Sequence, residues 1–95
     1  MVAAAENWAE IEGRVVSVEK HDELDGYVRV RIDVRSVTPV EGYANLFAWA
    51  LGKQIDINIP QAAAESLAPG TTVHLRARKA TPSASFADPE SVQIP

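Results

Sequence analysis

With 95 residues, 46% of them hydrophobic, the chain has apolar material for one compact core and too little for two, so a single domain over 1–95 is expected. Its net charge of -4 argues against binding nucleic acid by broad phosphate attraction, and the absence of cysteine excludes disulfides, thiolate catalysis and every Cys-based metal site. No apolar run reaches membrane-spanning length and residues 1–9 lack the basic and then apolar pattern of a leader, which predicts a cytoplasmic protein without membrane association, its residues 1–7 a flexible N-terminus.

The first strand is expected over 8–20. Its apolar positions are odd up to Val15 and even from Val16, a one-residue change of phase of the kind a β-bulge produces, and Gly13 eases the bend. The polar stretch 21–26 ends in Asp25-Gly26, a turn dipeptide that opens a hairpin. Over 27–37 the pattern alternates: Val28, Val30, Ile32 and Val34 point inward, while Tyr27, Arg29, Arg31, Asp33 and Arg35 point outward. Aligning Val18 with Val30 and Val16 with Ile32 sets Glu19 opposite Arg29 and Ser17 opposite Arg31. Beyond the bulge, Arg14 falls opposite Asp33 and Glu12 opposite Arg35. Sliding the register by two residues either way opposes like charges, at a cost on the order of a few tenths of a kcal/mol each, so this register is preferred.

After Pro39, the residues Tyr43, Leu46, Phe47, Ala50 and Leu51 fit the i, i+3, i+4, i+7, i+8 spacing of an amphipathic helix, and Gly52 stands at the C-terminal glycine position. An apolar helical insertion is therefore predicted over 43–51. Ile55, Ile57 and Ile59 alternate with Gln54, Asp56 and Asn58, the mark of a third strand over 54–60. The alanine-rich segment 61–67, stopped by Pro69-Gly70, reads as about two turns of helix. Val73, Leu75 and Ala77 alternate with Thr72, His74, Arg76 and Arg78 in a fourth strand, and 81–85 has the composition of a loop. Phe86, Val92 and Ile94 share one parity around Asp88-Pro89 and predict a last strand.

Five strands, the first bulged and the second long, with a helix between the third and fourth, resemble in their order over about 8–94 the OB-fold, a small Greek-key barrel. The expected fold class is mostly β: a five-stranded OB-like barrel with a short helix between strands three and four and an apolar helical insertion between strands two and three. The resemblance implies binding of an oligonucleotide or oligosaccharide on the face of strands two and three and on the loops 21–26 and 81–85.

Tyr27, Arg29 and Arg31 set an aromatic ring beside two guanidinium groups, the combination by which single-strand binders join base stacking to phosphate contact, and Lys53 extends the set. The competing reading is a charge-paired strand face, with Arg31, opposite Ser17, the least neutralised. His74, Arg76 and Arg78 form a second basic stripe, which Glu10 and Glu12 neutralise where the fourth strand closes on the first. In the insertion, Tyr43, Leu46, Phe47, Trp49 and Leu51 are more large apolar side chains than one helical face holds, so they either cap an end of the barrel or form a partner site. No lysine or arginine lies within 43–51, which weighs against insertion into a bilayer surface.

The loop residues His21, Asp22, Glu23 and Asp25 read as a solvated acidic turn rather than a cation site. Neither His21 nor His74 accompanies a nucleophile in a recognisable context, and no glycine-rich phosphate loop exists. No catalytic residue, metal or cofactor is expected. The expected function is a small non-catalytic interaction module that meets another protein, or a second copy of itself, through Tyr43, Leu46, Phe47 and Trp49. The alternative is single-stranded nucleic-acid binding through Tyr27, Arg29, Arg31 and Lys53. The first reading requires Trp49 to be largely exposed.

Overall fold

The computed structural model describes residues 6–95. Its strands are β1 (Ala9–Lys20), β2 (Tyr27–Pro39), β3 (Gln54–Pro60), β4 (Thr72–Thr81) and β5 (Ala84–Ala87). They are hydrogen-bonded in the order β1-β2-β3-β5-β4, and β4 returns to β1, so this mostly β chain closes into a five-stranded ring. Every pairing is antiparallel except that of β3 with β5, which meet in parallel at Asn58 and Phe86. Of the stretch 1–7 expected to be flexible, 1–5 lie outside the described residues. Asn7 is buried, and its side chain donates to the Lys79 carbonyl at 2.9 Å and accepts from the Lys79 N–H at 2.7 Å.

The hairpin of β1 and β2 has Val18 opposite Val30, Glu19 opposite Arg29, Ser17 opposite Arg31 and Arg14 opposite Asp33, as the charge pattern predicts. Two pairings differ from expectation. Val15 rather than Val16 faces Ile32, and Val16 is the extra residue of the bulge, turned outward at 39% exposure. A second irregularity between Glu12 and Gly13 places Glu12 opposite Ser36, not Arg35. The cause lies at Gly13, where a Cβ would run into the Asp33 carbonyl and stand 2.7 Å from Ile32 Cγ2. Only glycine admits an approach this close, and the strand bends there.

Inside the ring, Ile11, Val15, Val30, Ile32, Ile57, Ile59, Val73 and Leu75 are fully buried. Each such side chain contributes about 1.5–3 kcal/mol through its removal from water.

Both predicted helices are corrected to single 3-10 turns. In the segment 43–51 only Ala48–Ala50 is helical. The backbone explains why: Ala44 accepts from the Trp8 N–H, the Gly52 N–H donates to Val34, and Lys53 accepts from the Val34 N–H. One end of the segment is thus tied to the residue before β1 and the other to β2, and the short span between them admits one turn. In 61–67 the helical part is Gln61–Ala64. Over 61–67 the buried residues are Ala64, the last of the turn, and Leu67 beyond it. Isolated α-helices this short are marginal even in alanine-rich sequence.

The end of the chain is also corrected. β5 buries Ala87 opposite Ala77 and turns Phe86 outward opposite Arg78. No strand covers 92–94: after the 3-10 turn Pro89–Ser91, capped by Asp88, Gln93 makes a lone bridge with His74. Val92 packs on the core from outside the ring, and Ile94 is exposed.

Candidate functional site

The segment 43–51 divides residue by residue between core and surface. Phe47 is 1% exposed and Ala50 is fully buried, whereas Tyr43, Leu46, Trp49 and Leu51 are exposed, Trp49 at 51%. On a 3-10 turn positions three apart share a side, so Phe47 and Ala50 enter the core together and Trp49 between them is directed out. Local hydrogen bonds fix the turn. The Phe47 N–H donates to Asn45 Oδ1 at 2.9 Å, the Ala50 N–H to the Phe47 carbonyl at 2.9 Å, and Trp49 Nε1 to the Leu46 carbonyl at 2.8 Å. Cap and exposed surface are therefore one element, and Phe47, expected to contact a partner, is a core residue instead.

A second feature is a groove of about 400 Å³ on the outer face of β3 and β5, between the loop 21–26 and the β4-β5 hairpin. Arg29, Asn58 and Phe86 are among the residues that line it. Phe86 meets Tyr27 edge to face, with ring centroids 5.9 Å apart at 87°, and the Arg78 guanidinium lies 5.7 Å from the Phe86 ring. On the loop side, His21 Nδ1 accepts from the N–H groups of Glu23 and Leu24, both at 3.0 Å. That imidazole is a strut for the loop. An adjoining notch of about 240 Å³ shares Asp56, Ser83 and Ser85 with the groove and is walled by Trp49 and Lys79.

Four basic side chains of these strand faces have an acidic partner, among them Arg31. Arg29 lies 3.7 Å from Glu19, Arg76 is 3.3 Å from Glu10, and His74 is 3.6 Å from Glu12. Arg31, expected to be the least neutralised, bonds Asp56 through both Nε at 3.0 Å and Nη2 at 3.3 Å. The Asp56 hydrogen bond, and after it the Asp56 charge, raise the Arg31 pKa above its ordinary value. Asp56 faces Arg31 across the β2-β3 ladder, a partner that extending the hairpin register to the third strand would reveal.

Nor does the structure gather Tyr27, Arg29, Arg31 and Lys53 into one site. Tyr27 faces Pro60 at one end of the β2-β3 ladder, and Lys53 precedes Gln54 at the other, about 20 Å away at 3.3 Å per residue. Arg78, expected to be neutralised with its stripe by Glu10 and Glu12, lies on Phe86 instead, and sequence reasoning missed Phe86 and Lys79 as site residues. For Phe86 the misleading signal is its shared parity with Val92 and Ile94, and for Lys79 no sequence signal marks it out. Among the described residues, no three histidine or acidic side chains gather to hold a metal, and no helix is long and apolar enough to cross a membrane.

Comparison of the chain with protein-family models, curated proteins and solved structures finds no match.

Proposed function

We propose that this chain is a small non-catalytic binding module that engages another protein through the outward side of 43–51, with Tyr43, Leu46, Trp49 and Leu51 as its contact residues. The observation that carries this reading is the exposure of Trp49 beside the buried Phe47, on a turn tied to the residue before β1 and to β2. Apolar side chains held out in one conformation lose little freedom on binding, and exposed clusters of them mark interaction sites. The ring itself we read as an OB-like barrel, a reading supported by its five strands, its closure through β4 and β1, and the 3-10 turn between β3 and β4. The non-catalytic reading is supported by the engagement of Glu10 by Arg76 and of Asp56 by Arg31, contacts that already occupy these carboxylates.

The test is Trp49→Ala with denaturation and sedimentation measured in parallel. The fold should survive, and partner recovery by cross-linking at Leu51 should disappear. Undiminished recovery from the variant overturns the reading, and concentration-dependent sedimentation of the unaltered protein identifies the partner as a second copy.

A second reading, single-stranded nucleic acid or oligosaccharide on the β2-β3 face, is favoured by one observation: Tyr27, Phe86 and Arg78 form an aromatic and cationic cluster at the edge of the larger groove. A short oligonucleotide added at low salt should then shift the amides of Arg29, Arg31 and Phe86. Silence at all three removes nucleic acid, and silence toward a short oligosaccharide as well removes the reading.

A further inference from the structure

We propose that the notch between Trp49 and Lys79 accepts an acidic side chain that has an apolar neighbour, so that the partner presents a short segment in which carboxylates and apolar residues are interleaved. This rests on 43–51 being the contact face. Lys79 Nζ lies 4.8 Å from the centroid of the Trp49 ring and 5.9 Å from that of Phe47. It donates to the Pro82 carbonyl at 3.3 Å. An ammonium carries three donors, which leaves capacity for a further acceptor. Among the described residues no carboxylate stands within ion-pair distance of Lys79. Asp56 lines the same notch, but its two oxygens are engaged by Arg31.

The root of Lys79 is fixed by the paired hydrogen bonds of its backbone to Asn7, and the Trp49 ring is fixed through Leu46. Cation and apolar wall are thus held side by side before any partner arrives. A carboxylate entering from solvent finds the ammonium on one wall, and the adjacent apolar side chain of the same segment covers the exposed parts of Trp49 and Leu46.

The same facts weigh against a long polyanion at this place. Tight binding of a phosphate chain draws on many simultaneous cation contacts, whereas Arg29 and Arg31 beside the notch are already paired. The net charge of -4 would also repel an extended acidic tract. Screening over about 8 Å at physiological salt limits that repulsion for a segment with one or two carboxylates.

The experiment uses the full chain and three probes: a short end-blocked peptide alternating Asp and Leu, the same peptide with Asn for Asp, and a short oligothymidylate. Binding is followed through the Trp49 indole and the Lys79 amide signals by NMR. The Asp peptide should shift both, and either the Asn peptide or Lys79→Gln should weaken binding up to about fivefold, the value of one solvent-exposed ion pair. The Asn peptide serves as a check that needs no variant to fold. Equal binding of the Asp and Asn peptides at Trp49 overturns the acidic preference and leaves the contact face standing. Shifts with neither peptide overturn the proposal, and the Trp49→Ala cross-linking result then decides the contact face separately. A response of Trp49 and Lys79 to oligothymidylate alone overturns it in favour of nucleic acid.

Discussion

The outer wall of β1 and β4 and the notch beside Trp49 hold their basic side chains in opposite company. Along the wall, Arg76 lies 3.3 Å from Glu10 and His74 lies 3.6 Å from Glu12, each directly across the ladder from its partner. In the notch, Lys79 stands opposite Ser85 and lies over Trp49 instead. The difference begins in the neighbouring strand: β1 sets Glu10 and Glu12 across from β4, whereas β5 is Ala84, Ser85, Phe86 and Ala87 and supplies no acid. A wall whose charges already meet offers little to a newcomer. An ammonium on aromatic rings still has a contact to make.

The largest expected effects test whether the notch depends on the turn that carries Trp49. Phe47→Ala removes the buried ring that seats the turn and should cost about 3–5 kcal/mol of stability in urea denaturation. Trp49→Ala, two residues away, should cost clearly less, about 1 kcal/mol, for the lost contact with Lys79 and one exposed hydrogen bond. Similar losses for the two would erase the division between anchor and contact residue. Gly13→Ala attacks the wall instead. Its Cβ would meet the Asp33 backbone and Ile32, an overpacking expected to cost about 1–3 kcal/mol and to disturb amides along β1 and both of its neighbours. A stable variant with unshifted amides would show that Gly13 does not set the register.

What the sequence reveals follows the range of the interactions. The first four strands were legible because alternation is local, whereas β5, read partly as loop and placed too late, was not. The register at Glu19, Arg14 and Ser17 was legible because opposite charges discriminate between alignments. The helical reading of 43–51 failed for a nonlocal reason: its ends bond to Trp8 and Val34, and this overrides a spacing that five residues satisfy. Phe47 and Trp49 are equally apolar on paper, and only the 3-10 turn separates core from surface. Arg31 looked free because its partner, Asp56, comes from a third strand. Lys79 gained interest only when the fold brought it to Trp49, thirty positions earlier in the chain.

The smallest effects sharpen the comparison furthest. A double-mutant cycle on Glu10 and Arg76 should give a coupling of about 0.2–1 kcal/mol, typical of an exposed pair. A cycle on Trp49 and Lys79 should give about 0.5–1 kcal/mol, the range of an exposed cation over a ring. Salt separates them. Glu10 and Arg76 are two opposite charges, and raising ionic strength from about 0.1 M, where the Debye length is about 10 Å, to about 1 M, where it is about 3 Å, should reduce their coupling clearly. Trp49 carries no net charge, so its contact with Lys79 rests on a short-range field and should change much less. Equal decline of both couplings would mean that Lys79 is held by distant carboxylates rather than by the ring, and the contrast between wall and notch would disappear.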